Sequence, residues 1–141
     1  MFKVTEKTLD EINALSKGNM LEHLGIEFTE VSEAYLKGKM PVDSRTKQPF
    51  GLLHGGASVV LAETLGSVAA ALAVEDPRKQ VAVGVEVNAN HLKSVRGGYV
   101  TGICKPIRIG SSMHVYEINI YNEQNELVCV SRLTVAILHQ K

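Results

Sequence analysis

The run from Gly55 to Glu75 restricts this chain more than any other feature. Ala, Val and Leu dominate it, and Glu63 is the only ionisable residue between His54 and Glu75. A helix that is apolar nearly all round is a buried helix. At 1.5 Å per residue it would be about 30 Å long. Asp76-Pro77 stops it, because proline cannot continue a helix. The remaining residues must therefore wrap around a long apolar rod.

What surrounds that rod reads as strands. Val81, Val83, Val85 and Val87 alternate with other residues at period two. Tyr99 to Ile109, Met113 to Tyr121 and Leu127 to Leu138 follow at hairpin spacing. Gly97-Gly98, Gly110-Ser111 and Asn122 to Asn125 supply the turns between them. Ahead of the rod, Gly25 to Val42 reads as a hairpin, with Ile26, Phe28 and Val31 in one arm, Tyr35 to Val42 in the other and Ser32-Glu33 at the turn. Asp43 to Gly51 is a loop by its Asp, Ser, Pro and Gly content. Thr8 to Lys17 reads as a short helix with Leu9, Ile12 and Leu15 on one face. Thr8 and Glu11 form a capping box there, and Gly18 ends the helix. The order is helix, two strands, long helix, four strands. It predicts an α+β fold in which a curved antiparallel sheet of about six strands surrounds the central helix. The 141 residues fit one domain, 1–141, without repeats or linkers.

Composition removes several function classes. Hydrophobic residues make up 45% of the chain, enough for a sizeable core. Lys plus Arg number 15 and Asp plus Glu number 15. The zero balance argues against a nucleic-acid partner and weakly favours self-association. The opening MFKVTEKTLDEINALSK has no apolar h-region and no small-residue cleavage site. A cytoplasmic protein is expected. Glu63 makes the longest apolar stretch too polar to span a bilayer, so no membrane partner is expected. Cys104 and Cys129 lie far apart without a CxxC pair and read as reduced core thiols, with a disulfide as the minor alternative. His23, His54, His91, His114 and His139 are scattered without metal-ligand spacing, and no GxSxG elbow is present. Neither a metal nor a cofactor is expected.

Glu63 is the residue that composition cannot place. A glutamate is almost never buried without a partner, and unpaired burial is costly. An ion pair or an exposed edge would account for it. So would a polar site, and its neighbours favour that reading. His54-Gly55-Gly56 opens the helix, and paired glycines let backbone N–H groups approach a ligand closely. Those first N–H groups lack intrahelical acceptors, and the helix dipole there suits a developing oxyanion. Gly56 and Glu63 are seven residues apart, two turns on nearly the same face, with Ser67 one turn further. Gln48 lies on the preceding loop. Together these residues suggest a compact acid/base and oxyanion set.

The run DSRTKQPFGLLHGGASVVLAETLGSVAA, from Asp43 to Ala70, closely resembles the hotdog-fold acyl-CoA thioesterases. The resemblance continues through GVEVNANHLKS, CKPIRIGSS and SRLTVAIL, and so covers nearly the whole chain. The spacing of Gln48, His54 and Glu63 is its most specific part. It is closest to the branch that hydrolyses 1,4-dihydroxy-2-naphthoyl-CoA in menaquinone biosynthesis and proofreads misacylated aryl carrier proteins in the enterobactin pathway. The resemblance implies a hotdog fold, dimers paired into a homotetramer, and an active site at the dimer interface. Glu63 then matches the catalytic carboxylate, acting as nucleophile or as general base for water. Gln48 and His54 match residues that orient the thioester carbonyl or the attacking water, Gly55 or Gly56 the oxyanion donor, and Ser67 a helper. Gly84, the segment His91, Leu92, Lys93 and Ser94, and the segment Arg108, Ile109, Gly110, Ser111, Ser112 and Met113 match positions that contact CoA, which is part of the substrate. Lys93 and Arg108 suit phosphates. Asp76 to Gln80 is slightly longer than in that branch, which touches the pocket rim. Two other readings are a hotdog hydratase or dehydratase and a non-catalytic acyl-CoA binding protein.

Overall fold

The structure is a computed structural model that describes residues 1–140. Its elements run α1 (Thr8–Ala14), α2 (Met20–Leu24), β1 (Glu27–Val31), β2 (Leu36–Pro41), α3 (Gly55–Ala73), β3 (Gln80–His91), β4 (Tyr99–Ile109), β5 (Met113–Tyr121) and β6 (Leu127–His139). The six strands form one antiparallel sheet in the order β1-β2-β4-β5-β6-β3. Strands β3 and β1 are its edges. Register shifts between Gly84 and Glu86 and between Pro106 and Arg108 bend the sheet around α3.

The central helix packs on the inner face of this sheet. Leu61 and Leu65 are fully buried, each contributing roughly 2 kcal/mol of apolar burial. They come close because the sheet makes room: a β-carbon on Gly102 would lie 2.5 Å from Leu65 Cδ1. Likewise a β-carbon on Gly66 of the helix would overlap Leu133 of β6. By length and composition α3 could cross a bilayer, so Glu63 does not make it too polar for that. Nine of its 19 residues are buried in this fold, however, which accounts for its apolarity.

Several local expectations change. α3 is not buried all round: Gly56, Glu63 and Ala71 are exposed. The helix ends at Ala73 with Val74 extended, before Asp76-Pro77. The capping box at Thr8 does not form. Lys7 occupies the N-cap without a side-chain bond, and Thr8 Oγ1 accepts from Thr5 N–H instead. Ile12 is buried, whereas Leu15 at the helix end is 63% exposed. The short helix α2 has no apolar periodicity to announce it; Asn19 caps its start and Gly25, at φ 71°, ends it. Both cysteine thiols are free and buried.

Candidate active site

Three elements meet at the N-terminus of α3. The loop before it is folded by its own polar residues. Thr46, buried, donates from Oγ1 to Pro41 O at 2.7 Å, and Arg45 pairs with Asp43. Gln48 N–H donates to Leu52 O and Gly51 N–H to Gln48 O, closing a small turn. Within that turn Gln48 Oε1 accepts from Phe50 N–H. The acceptor end of the Gln48 amide is therefore occupied, and its NH2 end remains to donate.

His54 is the N-cap of α3. Its backbone N–H donates to Thr46 O, and its Nδ1 accepts from Gly56 N–H at 2.8 Å. With Nδ1 accepting, the neutral ring carries its proton on Nε2 and presents a donor. The same bond consumes the Gly56 N–H. Gly55 N–H has no intrahelical acceptor and makes no other backbone bond among the described residues. Of the two glycines, Gly55 therefore holds the free amide.

Gln48 and Gly55 line a cavity of about 310 Å³ together with Leu52, Leu53, Ser58, His91, Leu92, Lys93, Ser94 and Val128. His91, on the inner side of β3, faces the helix start so closely that a β-carbon at position 55 would push its ring aside. Lys93 stands at the mouth, ion-paired with Glu126. The cavity thus joins a hydrogen-bond donor cluster to an apolar wall, which suits a carbonyl attached to an apolar group. Leu52, Leu53, Ser58 and Val128 are additions that the sequence did not single out. Ser58 had a signal, as the only hydroxyl in the first two turns of the apolar helix.

Glu63 is not in this cavity. It lies on the exposed side of α3 against Gly84, where an added β-carbon would sit 3.4 Å from Glu63 Oε1. Among the described residues its carboxylate forms no ion pair. Eight residues separate it from Gly55, about 12 Å along the axis. The expected compact set is therefore split within one chain, because a straight helix holds its two turns apart. Ser67 stays with Glu63, one turn further on. The segment Arg108–Met113 is farther still from His91–Ser94. Met113 pairs with Ala136, which pairs with Val83, eight residues along β3 from His91 and so about 26 Å away. Gly110 is held close there, since a β-carbon on it would lie 2.9 Å from Met113 O. No three His, Cys, Asp or Glu side chains among the described residues could hold a metal ion.

One family shares this sequence and arrangement. A model of the thioesterase superfamily matches residues 50–129, which span the end of the loop, α3, strands β3 to β5 and the start of β6. The chain belongs to the thioesterase superfamily. This thioesterase is 55% identical over 131 residues to the 1,4-dihydroxy-2-naphthoyl-CoA hydrolase of Escherichia coli strain K12, covering 93% of its own length and 95% of that protein. It is 50% identical to the proofreading thioesterase EntH of Cronobacter turicensis, covering 93% and 94%. Its structure matches a crystal structure of a thioesterase from Haemophilus influenzae with a TM-score of 0.92 and 46% identity, over 98% of this chain and 94% of that one. A mutant thioesterase from Pseudomonas aeruginosa matches with a TM-score of 0.95 and 44% identity, over 99% and 100%. The fold of this thioesterase is the hotdog, and its chemistry is hydrolysis of thioesters.

Proposed function

We propose that the protein hydrolyses aromatic acyl-CoA thioesters, with 1,4-dihydroxy-2-naphthoyl-CoA or a benzoyl-type ester as substrate, at a site shared between two copies of the chain. The observation that carries this reading is the split of the site. One chain holds Gln48 and Gly55 in the cavity at one end of α3, with His54 at the N-cap, and an exposed Glu63 about two turns away with Ser67 one turn beyond it. A second copy related by a twofold axis would bring its Glu63 to the first chain's donors, and the reverse. Edge strand β3 supports such pairing, since Val81, Val83 and Val85 are 39%, 41% and 60% exposed beside Glu63's neighbour Gly84. The same operation would bring the Arg108–Met113 segment of one chain toward the His91–Ser94 segment of the other, so that one CoA could meet both.

In the proposed reaction the thioester carbonyl accepts from Gly55 N–H and the Gln48 amide, with His54 Nε2–H as a third donor. Such donors stabilise the oxyanion of the tetrahedral intermediate, each contributing roughly 3 kcal/mol. Glu63 either attacks the carbonyl carbon, expelling the CoA thiolate and leaving an anhydride that water opens, or removes a proton from the water that attacks. Both routes consume one water and yield the free acid and the thiol. Single-turnover hydrolysis in oxygen-18 water separates them, because label enters Glu63 itself only by way of the anhydride. The reaction draws on no cofactor or metal.

The name of the EntH relative favours a second substrate form, an aryl group misloaded on a carrier protein, which presents the same pantetheine arm. The further assignments of menaquinone biosynthesis, a cytoplasmic location and a homotetramer belong to this reading too. For the tetramer, Lys105, Glu117 and Arg132 form one exposed row across β4, β5 and β6, with charges alternating in sign. That row can pair with its own copy on a second dimer.

Complementation tests the shared site. Chains carrying Gln48→Ala and chains carrying Glu63→Ala should each lose thiol release from benzoyl-CoA. Co-expressed in equal amounts they should regain about a quarter of the activity, since half the dimers are mixed and one of the two sites in each is intact. No recovery in dimers shown to be mixed would sink the shared site.

A further inference from the structure

Ser58 has an environment that the reaction scheme leaves unexplained. It is 1% exposed and lines the cavity at the α3 N-terminus. Among the described residues, Ser16 Oγ is the one side-chain polar atom that is both enclosed and unpartnered. Ser58 Oγ is not such an enclosed, unpartnered atom, and the residue lines the cavity. His91, Lys93 and Ser94 are exposed, whereas Leu52, Leu53 and Val128 supply less exposed apolar lining of the same cavity. A lone hydroxyl on an otherwise apolar wall is unfavourable unless something binds it.

We infer that Ser58 determines specificity by hydrogen-bonding a hydroxyl that the acyl group carries next to its thioester carbonyl. The inference rests on the reading of this cavity as the acyl-thioester site. With the carbonyl on Gly55 N–H, the thioester sulfur leads outward to Lys93 and the acyl group inward. Ser58 follows Gly55 by three residues, one turn deeper on the same face and about 4.5 Å along the axis. That depth matches a substituent on the ring carbon beside the carbonyl, and a substituent across the ring would pass it. A serine hydroxyl both donates and accepts, so it can pair with a phenol in either sense. The acyl class that fits is an apolar aryl group with an ortho hydroxyl.

Three matched thioesters test this with the full-length protein: benzoyl-CoA, 2-hydroxybenzoyl-CoA and 4-hydroxybenzoyl-CoA, followed by thiol release. Ser58→Ala should lower kcat/KM for the 2-hydroxy ester about tenfold and leave the other two unchanged. Ser58→Cys, close in size and a weak donor, should show the same selective loss and serves if the alanine variant does not accumulate. Equal loss on all three esters, loss confined to the 4-hydroxy ester, or no change would overturn the assignment. Failure of the unmodified protein to release thiol from any of the three would remove the aryl-thioesterase reading itself, and the role of Ser58 with it.

Discussion

A β-carbon added to Gly55 would lie 2.7 Å from Nε2 of His91. The first residue of the central helix and the last residue of β3 are thus in direct contact, although 36 positions separate them in sequence. The contact sets the width of the cavity where the free amide of Gly55 is presented. A side chain at position 55 would have to displace the His91 ring.

Gly55→Ala should accordingly lower kcat at least a hundredfold, because the methyl group displaces either His91 or the Gly55 amide from the site. In a His91→Ala background the same substitution should cost much less, since the overlapping ring is gone. The comparison is a double-mutant cycle on steady-state thiol release. Additive losses would show that the Gly55–His91 contact does not govern the site.

Replacing the carboxylate tests the other half of the site. Glu63→Gln should reduce turnover about a thousandfold. It should leave the thermal transition close to that of the unmodified protein, because Glu63 is exposed and unpaired within its own chain. Near-normal turnover in a folded Glu63→Gln protein would remove it from the mechanism.

The exposed valines of β3 link association to activity. Val83→Lys puts a charge on an edge that is expected to meet its own copy, and edge charges block strand pairing. The variant should sediment as a smaller species and lose activity in proportion, because its donors and its carboxylate no longer meet. An unchanged sedimentation coefficient would place the interface elsewhere.

Acid should weaken the fold through His114. This residue is 2% exposed, with Nδ1 3.0 Å from the Tyr116 hydroxyl. Burial holds its pKa below the ordinary value of 6.5, against a smaller opposing effect from the Gly110 backbone. The unfolded chain therefore binds a proton at a higher pH than the folded one. The stability associated with neutral His114 is complete above pH 6.5 and falls as the pH drops below that value toward the folded pKa. Urea titrations between pH 7.5 and pH 5 should show this decline, and His114→Gln should flatten it. A parallel decline in the variant would assign the acid sensitivity to other groups.

Much of the fold was legible from local pattern. Hairpin spacing between turn residues located β4 and β5 to the residue, and the glycine and asparagine turns beside them lie where the sequence puts them. Helix α3 was legible from its apolarity, because its packed face follows the helical repeat. The short α2 was not, since five residues carry too little periodicity and their end is set by Gly25. The Thr8 capping box failed for a related reason: Thr5 N–H, one turn earlier, takes the Thr8 hydroxyl first.

The sequence by itself determined the family and the α+β order, and it singled out Glu63, Gln48, His54 and the glycines as candidates for the chemistry. Those properties depend on side-chain type and spacing along one chain. Only the tertiary structure decided which of these residues share a cavity. The His54 ring occupies the Gly56 amide and leaves that of Gly55 free. The strand β3, remote in sequence, brings His91 onto Gly55 and Gly84 onto Glu63. The rigid rise of the helix keeps Glu63 some 12 Å from the donors. Helical spacing can place two residues on one face, but it cannot bring them to one atom. The separation along α3 is what divides a motif that is compact in the sequence between two places in the folded chain.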